Sequence, residues 1–241
     1  MSTISIVIPA KDERENIQPL VEEIYAALGN QYGFEIIYID DGSSDGTFEE
    51  IVRLKAAGRS KLRVLKHAQS VGQSTAVYSG VKTAKGELIV TLDADGQNDP
   101  ADIPAMLVKA QKFKPGEHFC IAGYRKNRKD TAWYRFQSRL ANKVRARLLG
   151  DGTPDTGCGL KVFPKATFLS LPYFDHMHRF IPALVCRLQG EIVVSEVHHR
   201  NRLAGVSKYN VWNRLWVGIV DMFGVMWLQR RAKFPKVTEE A

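Results

Sequence analysis

Cysteine is scarce in this chain of 241 residues: Cys120, Cys158 and Cys186 stand far apart and form no CxxC pair. That spacing excludes a disulfide-stapled scaffold and reads as buried thiols in a reducing compartment. No run of about 18 uncharged apolar residues occurs, which argues against a membrane-spanning helix. The sequence opens directly into a strand-like run, with no charged n-region and apolar h-region ahead of it. There is no internal repeat and no low-complexity linker. No GxGxxG follows the first strand, which counts against a dinucleotide-binding Rossmann enzyme. No RRM or helix-turn-helix pattern supports a nucleic-acid reader.

What is present is an ordinary globular composition, with 44% hydrophobic and 25% charged residues, long enough for one large domain or one domain with an appendage. The net charge of +8 is concentrated in Arg125–Arg147 and Arg200–Lys233, so an anionic partner is expected: nucleic acid, a phosphorylated substrate or anionic lipid. Strand-like and helix-like runs alternate. Ile4–Ile8, Phe34–Ile39, Leu62–Leu65, Leu88–Leu92 and His118–Ala122 read as strands. Between them, Ile17, Leu20, Val21, Ile24 and Leu28 recur at helical spacing, with Asp12 and Glu15 placed like a capping box. Further helices are expected around Ile51 and Leu54, over Ser74–Ala84 and over Pro100–Phe113. This order predicts an α/β fold with βαβ units and a mostly parallel sheet. Later, Trp133, Phe136, Leu140, Val144 and Leu148 form a helical stripe, Leu160–Phe163 and Ile192–Val197 short strands, and Phe180–Leu188 a helix despite Pro182.

Two acidic clusters follow apolar strands. Asp93-Ala94-Asp95-Gly96-Gln97 comes directly after Leu88–Leu92, which places its oxygens at the carboxyl end of a buried strand, where open α/β sheets bind ligands. Asp95 and Gln97, two apart, face one way in an extended chain, and such hard oxygen donors suit Mg²⁺ or Mn²⁺ with a diphosphate completing the shell. The second cluster is Asp40-Asp41-Gly42-Ser43-Ser44-Asp45-Gly46-Thr47. Capping by Asp45 or Ser44 accounts for its second half, while Asp40 and Asp41 are free to accept from a base N–H or ribose hydroxyls.

With Val7-Ile8-Pro9, Glu13-Arg14-Glu15-Asn16 and these two clusters in this order, the chain resembles the family-2 inverting glycosyltransferases of the GT-A fold. Within them it is similar to the dolichyl- or polyprenyl-phosphate sugar synthases, and the resemblance runs from Ser5 to about Tyr209. It implies that Pro9, Glu13, Ile39 and Asp41 hold the nucleoside, that Asp93 and Ala94 line the nucleotide-sugar site, and that Asp95 and Gln97 bind the metal. Arg125, in Gly123-Tyr124-Arg125, matches an arginine near the diphosphate. Arg202, Ser207 and Lys208 match an Arg-x-x-Gly-x-Ser-Lys segment that grips phosphate, a planar fork and a mobile point charge respectively serving at Arg202 and Lys208. Lys11 stands where the family often has an aromatic against the base; a lysine there would meet a base carbonyl or a phosphate. The loop Asp155-Thr156-Gly157-Cys158-Gly159-Leu160-Lys161 is expected to shape the acceptor side.

The resemblance implies one in-line displacement, with catalytic roles for Asp95, Arg125, Arg202 and Lys208. A hydroxyl acceptor needs a general base, and Asp155 is the one candidate near the site; a phosphate acceptor needs none. No Gln-x-x-Arg-Trp segment points to a processive polysaccharide synthase. Trp212, Leu215, Trp216, Ile219, Val220, Phe223, Met226 and Trp227 recur at i, i+3, i+4, i+7 spacing, followed by Arg230, Arg231 and Lys233. Such a stripe with a basic tail describes an amphipathic helix in a membrane interface, or else a helix closing the core or a dimer seam. The expectation is therefore a catalytic domain over 1–209 and a membrane-facing helix over 210–241, peripheral on the cytoplasmic face. The partners expected are a nucleoside-diphosphate sugar and a polyprenyl phosphate, with Mg²⁺ or Mn²⁺. A soluble transferase acting on a saccharide hydroxyl and a basic nucleic-acid-binding module are the rival readings. His176, His178, His198 and His199 lack zinc-ligand spacing.

Overall fold

A computed structural model describes residues 3–29, 31–125, 145–200 and 211–235. β1 (Ile4–Ala10), α1 (Arg14–Leu28), β2 (Phe34–Asp40), α2 (Thr47–Ala56), β3 (Leu62–Lys66), α3 (Gln73–Thr83) and β4 (Leu88–Thr91) alternate as the apolar runs predict. A 3₁₀ turn at Pro100–Asp102 leads into α4 (Ile103–Ala110), followed by β5 (Phe119–Arg125), β6 (Lys161–Pro164), α5 (Lys165–Leu169), α6 (Ile181–Arg187), β7 (Glu191–Val197) and α7 (Val211–Arg230). The seven strands form one sheet in the order β3-β2-β1-β4-β6-β5-β7. All pairings are parallel except those of β6, which is antiparallel to both β4 and β5.

The sheet is covered on both faces. All seven positions of β2 are buried, the pattern of a strand sandwiched between helices. Ile6 and Ile8 pack beneath α1, α2 and α4, whereas Val7 points the other way, beneath α3 and α6, as the twofold alternation of a strand requires. Gly80 of α3 allows the closest approach: a Cβ there would lie 2.5 Å from Val7 and 2.6 Å from Ile39.

Three expectations need correction. Asp12 and Glu15 do not form a capping box on α1: the N-cap is Glu13, without a side-chain cap bond, and the Asp12 carboxylate accepts from Ser44 instead. The helix expected over Pro100–Phe113 splits into a 3₁₀ turn and α4, because Asp99 caps the turn through Ala101 and the prolines at 100 and 104 set its first positions. The stripe ending at Leu148 falls mostly outside the described residues; within 145–149, Leu148 is exposed and Leu149 is the buried one.

At the amino end of the sheet a polar hub ties four segments. Glu35, nearly buried, accepts from Ser5 Oγ (2.6 Å), from the Lys85 N–H (2.6 Å) and from Arg63, while Ser5 Oγ accepts from the Gly86 N–H (2.8 Å). These bonds hold the turn before β4 against β1. Burial raises the Glu35 pKa, but the Ser5, Lys85 and Arg63 contacts outweigh it and leave the carboxyl below its ordinary value. A depressed carboxylate stabilises the fold above its unfolded pKa and stops doing so as pH falls through its folded pKa. Glu35→Gln is therefore expected to cost about 2 kcal/mol at pH 7. In denaturant titrations the gap from the parent should close below the ordinary glutamate range; a gap that persists in acid would show that charge is not what the hub supplies.

Candidate active site

β1, β2 and β4 end side by side, so the loops 11–13, 41–46 and 92–99 converge on one edge of the sheet. The first two loops are joined by backbone-to-side-chain bonds. Ser43 Oγ accepts from the Asp12 N–H (2.9 Å), Thr47 Oγ1 from Glu13 (2.9 Å) and Asp45 Oδ2 from Arg14 (3.1 Å), while Asp12 Oδ1 accepts from Ser44 (2.8 Å). Asp12 takes φ 53, the left-handed turn that makes this exchange possible. Lys11 is exposed at the rim, and Glu13 accepts from Asn16 Nδ2 (2.6 Å). Asp45 also accepts from the Thr47 N–H at the first turn of α2, which fits the capping reading of this stretch, although the N-cap itself is Gly46.

The two adjacent aspartates have structural partners that the sequence did not disclose. Asp40 Oδ1 closes the turn on the Ser43 N–H (3.1 Å). Asp41 accepts four bonds from the segment after β3: His67 Nδ1 (2.8 Å) and the Val71 N–H (3.0 Å) at Oδ1, Ser70 Oγ (2.8 Å) and the Gly72 N–H (3.0 Å) at Oδ2. Burial pushes the Asp41 pKa up, yet these four donors prevail and hold it below the usual range. Asp41 can meet a nucleoside only by exchanging one of them. Ile39 is fully buried, with its side chain directed at Gly80 in the core.

Asp93 stands just past the end of β4. Gln73 Nε2 donates to its Oδ1 (2.9 Å), and its Oδ2 lies against Gly159, where any Cβ would collide with the carboxylate. Thr91 Oγ1 holds the Gly159 carbonyl (2.6 Å), so the antiparallel β6 brings its leading loop onto the back of Asp93. Lys161 pairs with Thr91 in register, is almost fully buried, and donates to the Cys158 carbonyl. Burial first, then the charge of Asp95, push the Asp93 pKa up to about 6, against the pull of Lys161, Arg125 and the Gln73 amide. Behind this carboxylate a cavity of about 20 Å³, room for one water, is lined by Pro9, Gln73, Thr91, Asp93, Lys161 and His178.

Ala94 is buried and anchors the loop, while Asp95 and Gln97 remain partly open. Asp95 Oδ1 accepts from the Gln97 N–H (3.1 Å), closing a two-residue turn. Among the described residues no three His, Cys, Asp or Glu side chains converge on one point. The donor set at this loop is thus one carboxylate and one carboxamide, hard and incomplete, the set expected where a ligand's phosphate oxygens fill the remaining positions. Arg125, at the end of β5, forms a bidentate pair with Asp155 (Nε to Oδ2 2.7 Å, Nη2 to Oδ1 2.9 Å). That pair raises the guanidinium's pKa further despite burial. Arg202, Ser207 and Lys208 lie outside the described residues. The described chain leaves toward them at Arg200, whose N–H donates to the Gln97 carbonyl (3.0 Å).

The structure thus gathers Pro9, Asp93, Ala94, Asp95 and Gln97 at one edge, with Arg125 close enough to act on the charge of Asp93. Residues 5–169 match the glycosyl transferase family 2. The chain belongs to this family and is a glycosyltransferase. It is 36% identical over 231 residues to the dodecaprenyl-phosphate galacturonate synthase of Rhizobium johnstonii, covering 94% of this chain and 67% of the relative. In fold it is similar to glucosyl-3-phosphoglycerate synthase from Mycobacterium tuberculosis, solved with Mn²⁺, UDP and product (TM-score 0.65, 19% identity, 98% of this chain and 81% of that one). A mannosyltransferase from Pyrobaculum calidifontis, solved with GDP-mannose and Mn²⁺, is similar as well (TM-score 0.68, 19% identity, 96% of this chain and 65% of that one). These structural likenesses establish the GT-A architecture.

Gln73, Gly159, Lys161 and His178 were not singled out as site residues by sequence, although the 155–161 loop was. That loop packs against Asp93, on the back of the Asp93–Gln97 loop, because β6 runs antiparallel beside β4. Gly159→Ala forces the Asp93 carboxylate or β6 to move. A displacement of about 1 Å costs on the order of 100-fold in rate at a reacting centre, so kcat/KM for sugar transfer should fall by that order while the thermal unfolding transition stays cooperative. Unchanged kinetics would remove Asp93 from the site.

Proposed function

We propose that this glycosyltransferase moves a sugar from a nucleoside diphosphate to a polyprenyl phosphate, with inversion and with a divalent cation. The observation that carries the acceptor is the condition of the carboxylate behind the Asp93–Gln97 loop. A hydroxyl acceptor needs a general base, yet Asp155, the carboxylate nearest the loop that the sequence offers for it, is held bidentate by Arg125 (2.7 and 2.9 Å). A carboxylate clamped by a guanidinium is a poor proton acceptor. A phosphate monoester brings its own anionic oxygen. The name of the Rhizobium relative supports a polyprenyl-phosphate acceptor, and the UDP and GDP-mannose of the solved relatives support a nucleotide-sugar donor.

In the proposed step a phosphate oxygen of the acceptor attacks the anomeric carbon from the face opposite the nucleotide. The new C–O bond forms as the bond to the diphosphate breaks, and the electron pair leaves with the nucleoside diphosphate. Pro9, Lys11, Glu13, Ile39 and Asp41 shape the nucleoside end, the last two through the strand end and the 67–72 loop. Asp93 and Ala94 form the sugar end. Asp95 and Gln97 would hold Mg²⁺ or Mn²⁺, which when bound offsets charge developing on the diphosphate. Arg125 adds a fixed positive charge beside it, and Arg202, Ser207 and Lys208 hold the acceptor phosphate.

The exposed face of α7 supports a lipid acceptor. Trp216, Val220, Phe223 and Trp227 are 67%, 67%, 60% and 59% exposed and fall on one side at helical spacing. Val225 is fully buried on the other side, with Met222, Met226 and Leu228 packed around it against the core. Arg230, Arg231 and Lys233 follow. No helix of the described residues is long and apolar enough to cross a membrane. An apolar face with aromatics and a basic end seats a helix in a lipid headgroup region. We therefore assign residues 210–241 as a peripheral membrane attachment and 1–209 as the catalytic domain. The three free thiols fit the cytoplasmic, reducing side.

Labelled UDP- and GDP-sugars offered with a short polyprenyl phosphate and Mg²⁺ or Mn²⁺ should give a metal-dependent, phosphate-linked glycolipid. Asp155→Asn should keep transfer within about tenfold of the parent, whereas loss of a general base costs roughly 10²- to 10⁴-fold. A drop of the larger size, with transfer to saccharide hydroxyls in the parent, would instead establish a hydroxyl acceptor. Replacing Trp216 and Trp227 with serine should release the protein from vesicles containing anionic lipid in flotation assays. Undiminished flotation, or a dimer that the double substitution dissociates, would assign that face to the core or to a second copy.

A further inference from the structure

We infer that Gln73 completes the donor-sugar subsite and that His178, acting through Ser74, is the residue that positions it; this rests on the sugar-transfer reading above. Gln73 is the first residue of α3, and its amide is the side-chain donor to Asp93 Oδ1 (2.9 Å). Since Oδ2 lies against Gly159, the amide and the glycine together fix how the carboxylate is presented toward the cavity. The cavity itself holds one water, but Gln73 and Asp93 are both partly exposed, so a sugar ring on their open side meets them as one unit, a donor and an acceptor held at hydrogen-bond distance. That pairing suits ring hydroxyls, which both donate and accept.

The first turn of α3 does not hold itself in place. Its N-cap is Gly72 at φ 93, with no side-chain cap bond, so the turn is anchored from outside. On one side the Val71 and Gly72 N–H groups are bound by Asp41. On the other side lies the turn at 173–178, more than ninety residues away in sequence. Ser74, completely buried, shares a hydrogen bond with His178 Nδ1 (2.7 Å) and accepts from the His178 N–H (3.1 Å). Thr75 Oγ1 meets Tyr173 Oη (2.8 Å) one residue further on. His178 therefore grips the residue next to Gln73 at two points while its own ring lines the cavity that Gln73 and Asp93 share. The turn keeps this shape with His176 at φ 63, a conformation that a non-glycine residue holds only when its surroundings fix it.

The Gln73–Asp93 and Ser74–His178 contacts, unlike those of Val71 and Gly72 with Asp41, do not involve the 11–13 or 41–46 loops, and that separation gives the test. Affinity would be measured by calorimetry for the UDP- or GDP-sugars of the transfer panel and, separately, for free UDP and GDP. The proteins are the parent, Gln73→Ala, Ser74→Ala, His178→Ala and the Gln73→Ala/His178→Ala double variant. Each single variant should bind the nucleotide sugar roughly tenfold more weakly, the scale of one lost hydrogen bond to a charged partner, with free-nucleotide affinity unchanged. The double variant should be no worse than either single one, because both act through the same contact. Equal losses for sugar nucleotide and free nucleotide would reduce His178 to a general structural role, and multiplying losses would mean that it acts independently of Gln73; either result overturns the inference. Should His178→Ala fail to fold, Ser74→Ala breaks the same link from the other end. A parent that binds a nucleotide sugar but transfers it to no polyprenyl phosphate overturns the acceptor assignment and leaves the Gln73 comparison readable.

Discussion

The carboxylate of Asp41 is the contact on which the edge that gathers these loops depends. It sits buried at the end of β2, where an ionised group without partners would be costly. Its four hydrogen bonds come from residues 67–72. Meeting that demand folds the segment between β3 and α3 over the end of the sheet and fixes where α3 begins. Gly42, at φ 69, makes the approach possible: a Cβ there would lie 2.6 Å from the Ser70 nitrogen. Because α3 starts where Asp41 places it, Gln73 reaches Asp93, and two acidic loops far apart in sequence are brought together at one edge.

A site built from carboxylates must also offset its own repulsion. Asp93 and Asp95 oppose each other, and among the described residues Lys161 and Arg125 answer that repulsion. Both pull against the charge of Asp93, and Arg125 and Arg145 are themselves paired with Asp155 and Asp151. β6 makes this possible, since its antiparallel course between β4 and β5 returns residues 159–161 to the place where β4 ends. A strictly parallel sheet would have carried those residues to the opposite edge.

Much of this architecture was legible in the sequence, for reasons that also explain what was hidden. β1 through β4 and the helices between them follow from β-branched runs and 3.6-residue periodicity, and the Asp93–Gln97 loop from its position after such a run. Contacts distant in sequence left no local trace. Ser74 and His178 are 104 residues apart, and a lone histidine near a proline-containing turn carries no local sign of its partner. The spacing of Asp12 and Glu15 imitated a capping box, yet a long-range partner at Ser44 won the carboxylate and a local pattern lost to tertiary structure. Asp40 and Asp41 looked unemployed for the same reason: their donors come from a turn and from a segment that only the fold brings near.

The C-terminal helix shows where periodicity itself becomes ambiguous. Apolar residues surround much of α7, so a stripe can be drawn through Trp212, Trp216, Phe223 and Met226, but the fold divides it differently. Met226 turns inward beside Met222, Val225 and Leu228, whereas Trp216, Val220, Phe223 and Trp227 stay outside. Polar contacts decide the rotation. Arg187 Nε donates to the Leu228 carbonyl (3.1 Å), Gln229 Nε2 to the Leu149 and Ala183 carbonyls (2.8 and 3.1 Å), and Gly218 leaves room for the Arg179 guanidinium. These bonds pin the inward face, so the outward aromatics cannot turn into the core without breaking them. Burying the outward face therefore requires something outside the described core. For a helix ending in Arg230, Arg231 and Lys233, the anionic lipid surface proposed above would meet both the apolar and the charged requirement at once.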